Sequence, residues 1–145
     1  EAIDLGSCEI GPEGIKSLSD ALRWATMLRT INLSNNIFGD AGATKLGERI
    51  KYLHHFETID LSGCEIGPEG IESLSDVLRR AQMLRTINLS NNIFGDAGAI
   101  KLAESIKYLH HLEAIDLSGC EIGPEGIESL SDVLRRAQML RTINL

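Results

Sequence analysis

Apolar residues stand two apart at regular intervals along the chain: Ile3/Leu5, Ile31/Leu33, Ile59/Leu61, Ile87/Leu89, Ile115/Leu117 and Ile143/Leu145, each pair 28 residues after the last. A spacing of two is that of a short strand with one buried face. In the unit that runs on from Leu84, Ile87 and Leu89, the polar pair Asn91-Asn92 marks the turn out of the strand. After Phe94, Gly95-Asp96-Ala97-Gly98 interrupts the chain, and then Ala99, Leu102, Ile106 and Leu109 step by three and four along one helical face. Asp96 is expected to cap the helix that follows it. Alternate units carry Gly67-Pro68-Glu69 at this place. Pro68 suits a first helical turn, and Glu69 suits the positive end of the helix dipole. Each unit thus reads strand, turn, helix.

The units are of two kinds in alternation, so the full period is 56 residues. One kind reads ETIDLSGCEIGPEGIESLSDVLRRAQML from Glu57 to Leu84, the other RTINLSNNIFGDAGAIKLAESIKYLHHL from Arg85 to Leu112. Units begin near residues 1, 29, 57, 85 and 113, and a partial one begins at 141, which makes residues 1–145 a single domain. One unit buries too little apolar surface to offset its chain entropy, whereas stacked units share a continuous core. Parallel strands stack about 4.8 Å apart and helices about 8–10 Å apart, so the stack must curve with its sheet inside. The predicted fold is an α/β solenoid: a right-handed, curved horseshoe segment with parallel strands on the concave face and helices on the convex face. Glu1–Leu5 and Arg141–Leu145 are equivalent points of the repeat. We therefore expect a fragment of a longer array without terminal caps, able to associate end to end through its apolar end faces.

The run Leu84-x-x-Ile87-x-Leu89-x-x-Asn92-x-Phe94 resembles the leucine-rich-repeat signature, with isoleucine at one leucine position. The 28-residue length, the alternation of Cys-bearing and Asn-bearing units, and the phrase Leu-Ser-Asn-Asn-Ile-Phe-Gly-Asp-Ala-Gly at 89–98 are similar to the ribonuclease-inhibitor-like class. Ribonuclease inhibitor, Ran GTPase-activating proteins and the repeat regions of NOD-like receptors belong to that class. The resemblance covers the whole chain and implies protein binding on a curved scaffold, with no particular partner.

Composition narrows the reading. The chain is 43% hydrophobic but holds no stretch near the roughly 20 apolar residues of a membrane span, so no membrane association is expected. A net charge of −7 argues against a phosphate-tracking surface, and no nucleic-acid partner is expected. Cys8, Cys64 and Cys120 fall two strand steps apart, roughly 10 Å, beyond the approximately 7 Å reach of a disulfide. They are expected to be free, buried thiols in a structural turn row with Asn36 and Asn92, which fits a reducing, cytoplasmic setting. His54-His55 and His110-His111 lack further convergent ligands and read as solvated turn residues. The Gly-Pro-Glu-Gly and Gly-Asp-Ala-Gly helix openings recur in every unit, as capping and packing elements do and a nucleotide site does not. No Ser, His and acid converge by spacing. The chain is expected to be no enzyme and to need no cofactor or metal.

A binding face remains. Strand residues flanking the buried isoleucine should line the concave surface: Asp4; Thr30, Asn32 and Ser34; Thr58, Asp60 and Ser62; Thr86, Asn88 and Ser90; Asp116 and Ser118. This face is small, polar and mildly acidic, with none of the Trp, Tyr or Arg that dominate interface energetics. The cations Arg23, Lys51, Arg79, Arg80, Lys107, Arg135 and Arg136, with Lys45 and Lys101, read as a solvated, mixed-charge convex surface on which Trp24 alone stands out. The leading expectation is a scaffold that binds another protein. The alternatives are an engineered, consensus-like array with no evolved ligand, and a non-catalytic regulator of a GTPase or other enzyme.

Overall fold

A computed structural model describes residues 1–145 as six three-residue strands alternating with five helices. The strands are β1 (Ala2–Asp4), β2 (Thr30–Asn32), β3 (Thr58–Asp60), β4 (Thr86–Asn88), β5 (Ala114–Asp116) and β6 (Thr142–Asn144). They form one parallel sheet in sequence order, and every pairing joins residues 28 apart, Ile3 to Ile31 and Ile31 to Ile59 onward. The helices are α1 (Pro12–Leu22), α2 (Gly39–Ile50), α3 (Pro68–Leu78), α4 (Gly95–Ile106) and α5 (Pro124–Leu134). Each packs only on its neighbours in sequence. None is long and apolar enough to cross a membrane.

One continuous core of 32 buried apolar residues runs the length of the stack. The strand isoleucines and leucines supply its inner wall, and Ile15, Leu46, Ile71, Leu74 and Leu102 its helical wall. Between them, Phe38 and Phe94 lie almost fully buried where the alternate units have Ile66 and Ile122. A glycine in the first helical turn lets each phenylalanine in, since a Cβ on Gly42 or Gly98 would come within 2.5 Å of the ring-bearing residue. Burial falls off at the last strand, where Ile143 and Leu145 are exposed although Ile31, Leu33, Ile59 and Leu61 are buried.

The two kinds of unit enter their helices differently. In one, Gly39 and Gly95 take the left-handed conformation, with φ of 56° and 55°. In the other, Glu65 and Glu121 do so, both with φ of 57°, and the following Gly67 and Gly123 are extended. The sequence placed a capping aspartate correctly but assigned it to the wrong helix. Asp96 lies inside α4 and makes no cap there. Its Oδ1 instead accepts from the backbone N–H groups of Gly123 (2.7 Å) and Gly126 (2.9 Å), at the N-terminus of α5. Asp40 does the same for α3 through Gly67 and Gly70. Orphan donors at a helix start need an acceptor, and here the preceding unit supplies it.

Candidate binding surfaces

The strand rows line the face opposite the helices, and their polar groups bond chiefly to one another. Asn32 donates to Asp4 (2.9 Å), Asn88 to Asp60 (3.0 Å) and Asn144 to Asp116 (2.8 Å). The hydroxyls of Ser62, Ser90 and Ser118 donate back to Asp60, Asn88 and Asp116. Burial alone would raise the Asp116 carboxyl, but the donors of Ser118 and Asn144 outweigh it and hold that group below its usual range. Thr30, Thr58 and Thr86 are half-buried at the strand starts, and Ser34 donates its backbone N–H to Asn32. The concave face is therefore an ordered polar lattice with much of its hydrogen-bonding capacity already used.

The turn row is structural. Asn36 donates to the carbonyls of Leu5 and Leu33 and accepts from the N–H of Cys8 and Ile10. Asn92 repeats this with Leu61, Leu89, Cys64 and Ile66. The Cys64 and Cys120 thiols donate to Leu33 and Leu89 of the preceding unit, at 3.2 and 3.0 Å. Burial pushes the Cys64 thiol up to about 11 and raises that of Cys120 as well. All three cysteines are free, but Cys8 is exposed, contrary to the expectation of a buried row. The two buried thiols owe their burial to contact with the preceding unit, through Leu33 and Leu89.

The second surface went largely unread in the sequence. The segments after each helix, which turn back toward the next strand, form one edge of the array. They bring Trp24, Met27, Tyr52, Met83, Tyr108 and Met139 to the surface. Trp24, at 74% exposure, is thus the first of a row, not a lone exception. Cations accompany the rings: Arg23 lies 4.5 Å from the Trp24 ring centre, and Lys51 and Lys107 lie 5.1 Å from those of Tyr52 and Tyr108. All four histidines are on this edge, exposed, and His111 Nδ1 is 3.0 Å from the Gln82 carbonyl. A groove of about 620 Å³ opens here between the ends of α4 and α5, lined by Tyr108, Leu109, Leu112, Arg136 and Met139 among others. The cations read from sequence as part of the convex surface thus divide. Lys45 and Lys101 lie on α2 and α4, while Arg23, Lys51, Arg79, Arg80, Lys107, Arg135 and Arg136 follow the helices along this edge.

The comparisons agree with this architecture. A leucine-rich repeat family model matches five times, over residues 1–19, 25–47, 52–75, 80–103 and 108–131. The chain therefore belongs to the leucine-rich repeat family. Among solved structures, it is similar to actin-binding site 2 of leiomodin-1, with a TM-score of 0.76 and 18% identity over 94% of this chain and 79% of that one. It is likewise similar to the tropomodulin C-terminal domain of Caenorhabditis elegans, with a TM-score of 0.77 and 18% identity over 94% of this chain and 83% of that one. At such identity the likeness is one of fold. No curated protein matches in sequence.

Proposed function

We propose that the chain is a non-catalytic protein-binding scaffold and that its contact surface is the cation and aromatic edge at the helix C-termini. The observation that carries this reading is the segregation of exposed side chains. Trp24, Tyr52, Tyr108 and three methionines share one edge with Arg and Lys, whereas the concave face carries small polar groups bonded to each other. Aromatic residues, Met and Arg are the types enriched in interface cores. Rigid stacked units also hold these side chains at fixed intervals, which lowers the entropy cost of association. The similar leiomodin-1 structure is an actin-binding site, which supports a protein ligand here.

The test compares two variants of the immobilised chain in extracts of cells that express it. Replacing Tyr52, Met83 and Tyr108 by Ser should abolish retention of bound protein. Replacing Thr58 and Thr86 by Ala should leave it intact. Loss through the threonine variant with retention by the edge variant would contradict the proposal and return binding to the concave face.

A further inference from the structure

The two edges of the array are opposite in charge. Segments 20–29, 48–57, 76–85, 104–113 and 132–141, at the helix C-termini, hold eleven of the fourteen Lys and Arg residues and all four histidines, against seven of the 21 acidic residues. The rest of the chain keeps fourteen acids and three cations. The opposite edge, where strands lead into helices, carries the row Glu9, Ile37, Glu65, Ile93 and Glu121, all five exposed. Each edge also carries charges with no partner in an ion pair, although unpaired acids such as Asp60 and Glu128 lie elsewhere. Arg23, Lys51, Arg80, Lys107 and Arg136 make no ion pair within the chain, and neither do Glu9, Glu65 and Glu121.

The rows also match in period and phase. Unit by unit, Ile37 shares its repeat with Tyr52, Glu65 with Arg80, Ile93 with Tyr108, and Glu121 with Arg136. Strands and helices run across the array from one edge to the other. A second copy displaced along the strand direction by one array width therefore sets glutamate beside arginine and isoleucine beside tyrosine, with no change of register. Both copies have the same curvature, so the match persists over the four units after the first; in the first, Glu9 faces Trp24 and the adjoining Arg23. Ile93 of such a neighbour would meet the groove at Tyr108, whose floor of Leu109 and Leu112 is apolar and whose rim holds Arg136. An unrelated acidic partner would have no reason to share a 56-residue alternation of acid and isoleucine.

We propose that the cation and aromatic edge binds the glutamate and isoleucine edge of a second copy of this chain, giving in-register, head-to-tail lateral association. This deepens the reading of that edge as the contact surface and rests on it. Because the two surfaces differ, the contact is heterologous and extends beyond a dimer unless closed. Charge complementarity of this kind is salt-sensitive, since the screening length falls from about 10 Å at 0.1 M ionic strength to about 3 Å at 1 M.

The experiment is sedimentation velocity over a concentration series with three proteins: the chain itself, an acid-edge variant (Glu65→Lys with Glu121→Lys) and a basic-edge variant (Arg80→Glu with Arg136→Glu). All four positions are exposed, and unchanged circular dichroism confirms that each variant folds. The chain should associate in low salt, and a rise to about 1 M salt should weaken this by about tenfold or more. Each variant alone should lose the association, and an equimolar mixture, which restores opposite charges across the contact, should recover it. Association of either variant alone at the level of the parent places the contact at the array's ends and overturns the proposal. So does a mixture that stays monomeric. In that second case the edge remains a binding surface if the Tyr52, Met83 and Tyr108 replacements still abolish retention of other proteins, so the two readings fail separately.

Discussion

At the scale of single residues, identical letters in the repeat have different surroundings. The hydroxyl of Ser75 in α3 is buried without a partner, although the Ser75 carbonyl accepts from Ser105 at 2.8 Å. Its counterparts in the asparagine-bearing units are Gly47 and Ala103, which shows that the position needs small size and no polarity. Removing an unpaired buried hydroxyl recovers a desolvation cost of about 1 kcal/mol or more, so Ser75→Ala should raise the denaturant midpoint. A drop in the midpoint would show that the hydroxyl has a partner. The cysteines differ in the same way. Cys8 should react with a thiol reagent in the native protein, whereas Cys64 and Cys120 should react only on unfolding. Burial is also the main reason that Cys64 titrates near 11 instead of its ordinary 9.0. The unfolded chain releases that proton first, so this contribution to stability is complete below pH 9.0 and is lost as pH rises toward about 11. In Cys64→Ala the alkaline decline should be shallower. The row was legible in the sequence. The exposure of Cys8 was not, because burial of a repeat residue depends on the units stacked on either side of it.

At the scale of elements, strands and helices followed from the spacing of apolar residues, and the Pro-bearing helices began where Pro12, Pro68 and Pro124 placed them. The helix caps did not follow. An aspartate two residues before a helical glycine looks like a local cap, but the N–H groups that Asp40 and Asp96 satisfy lie 27 and 30 residues away in sequence. Only the register of the stack brings them together. The glycines are equally part of this device: a Cβ on Gly70 would fall 2.5 Å from Asp40 Oδ1. Loss of a capping carboxylate typically costs about 1–2 kcal/mol. Asp96→Ala should therefore destabilise the protein by that amount and raise amide exchange at the start of α5 while leaving α4 unchanged, and Asp96→Asn should recover part of the loss. Faster exchange at the start of α4 instead would restore the local cap that the sequence suggested.

At the scale of the whole molecule, the 56-residue period has a structural meaning that alternating letters only hinted at. The units meet through two kinds of interface. One is locked by Asn-to-Asp bonds on the sheet and by Arg49–Asp20 or Lys101–Glu72 on the helices. The other is locked by the aspartate caps, by Arg29–Glu57 or Arg85–Glu113, and by the thiol bonds to Leu33 and Leu89. The strand residues Asp4, Asn32, Asp60, Asn88 and Asp116 follow from the period of two, but their mutual bonding depends on side-chain geometry between strands. The exposed edge was missed for a different reason. Its tyrosines and methionines carry no motif of their own in the sequence, and its cations read as an ordinary solvated face. Only the turn geometry after each helix separates Tyr52 and Tyr108 from the buried Leu53 and Leu109 beside them.

The most direct test of the edge as the contact surface is hydroxyl-radical footprinting of the chain free and in its associated state, because the radical attacks Trp, Tyr and Met readily. Oxidation of Tyr52, Met83, Tyr108 and Met139 should fall sharply on association, while the buried Phe38 and Phe94 stay unmodified in both states. Unchanged oxidation of those four side chains in a fully associated sample would contradict the account.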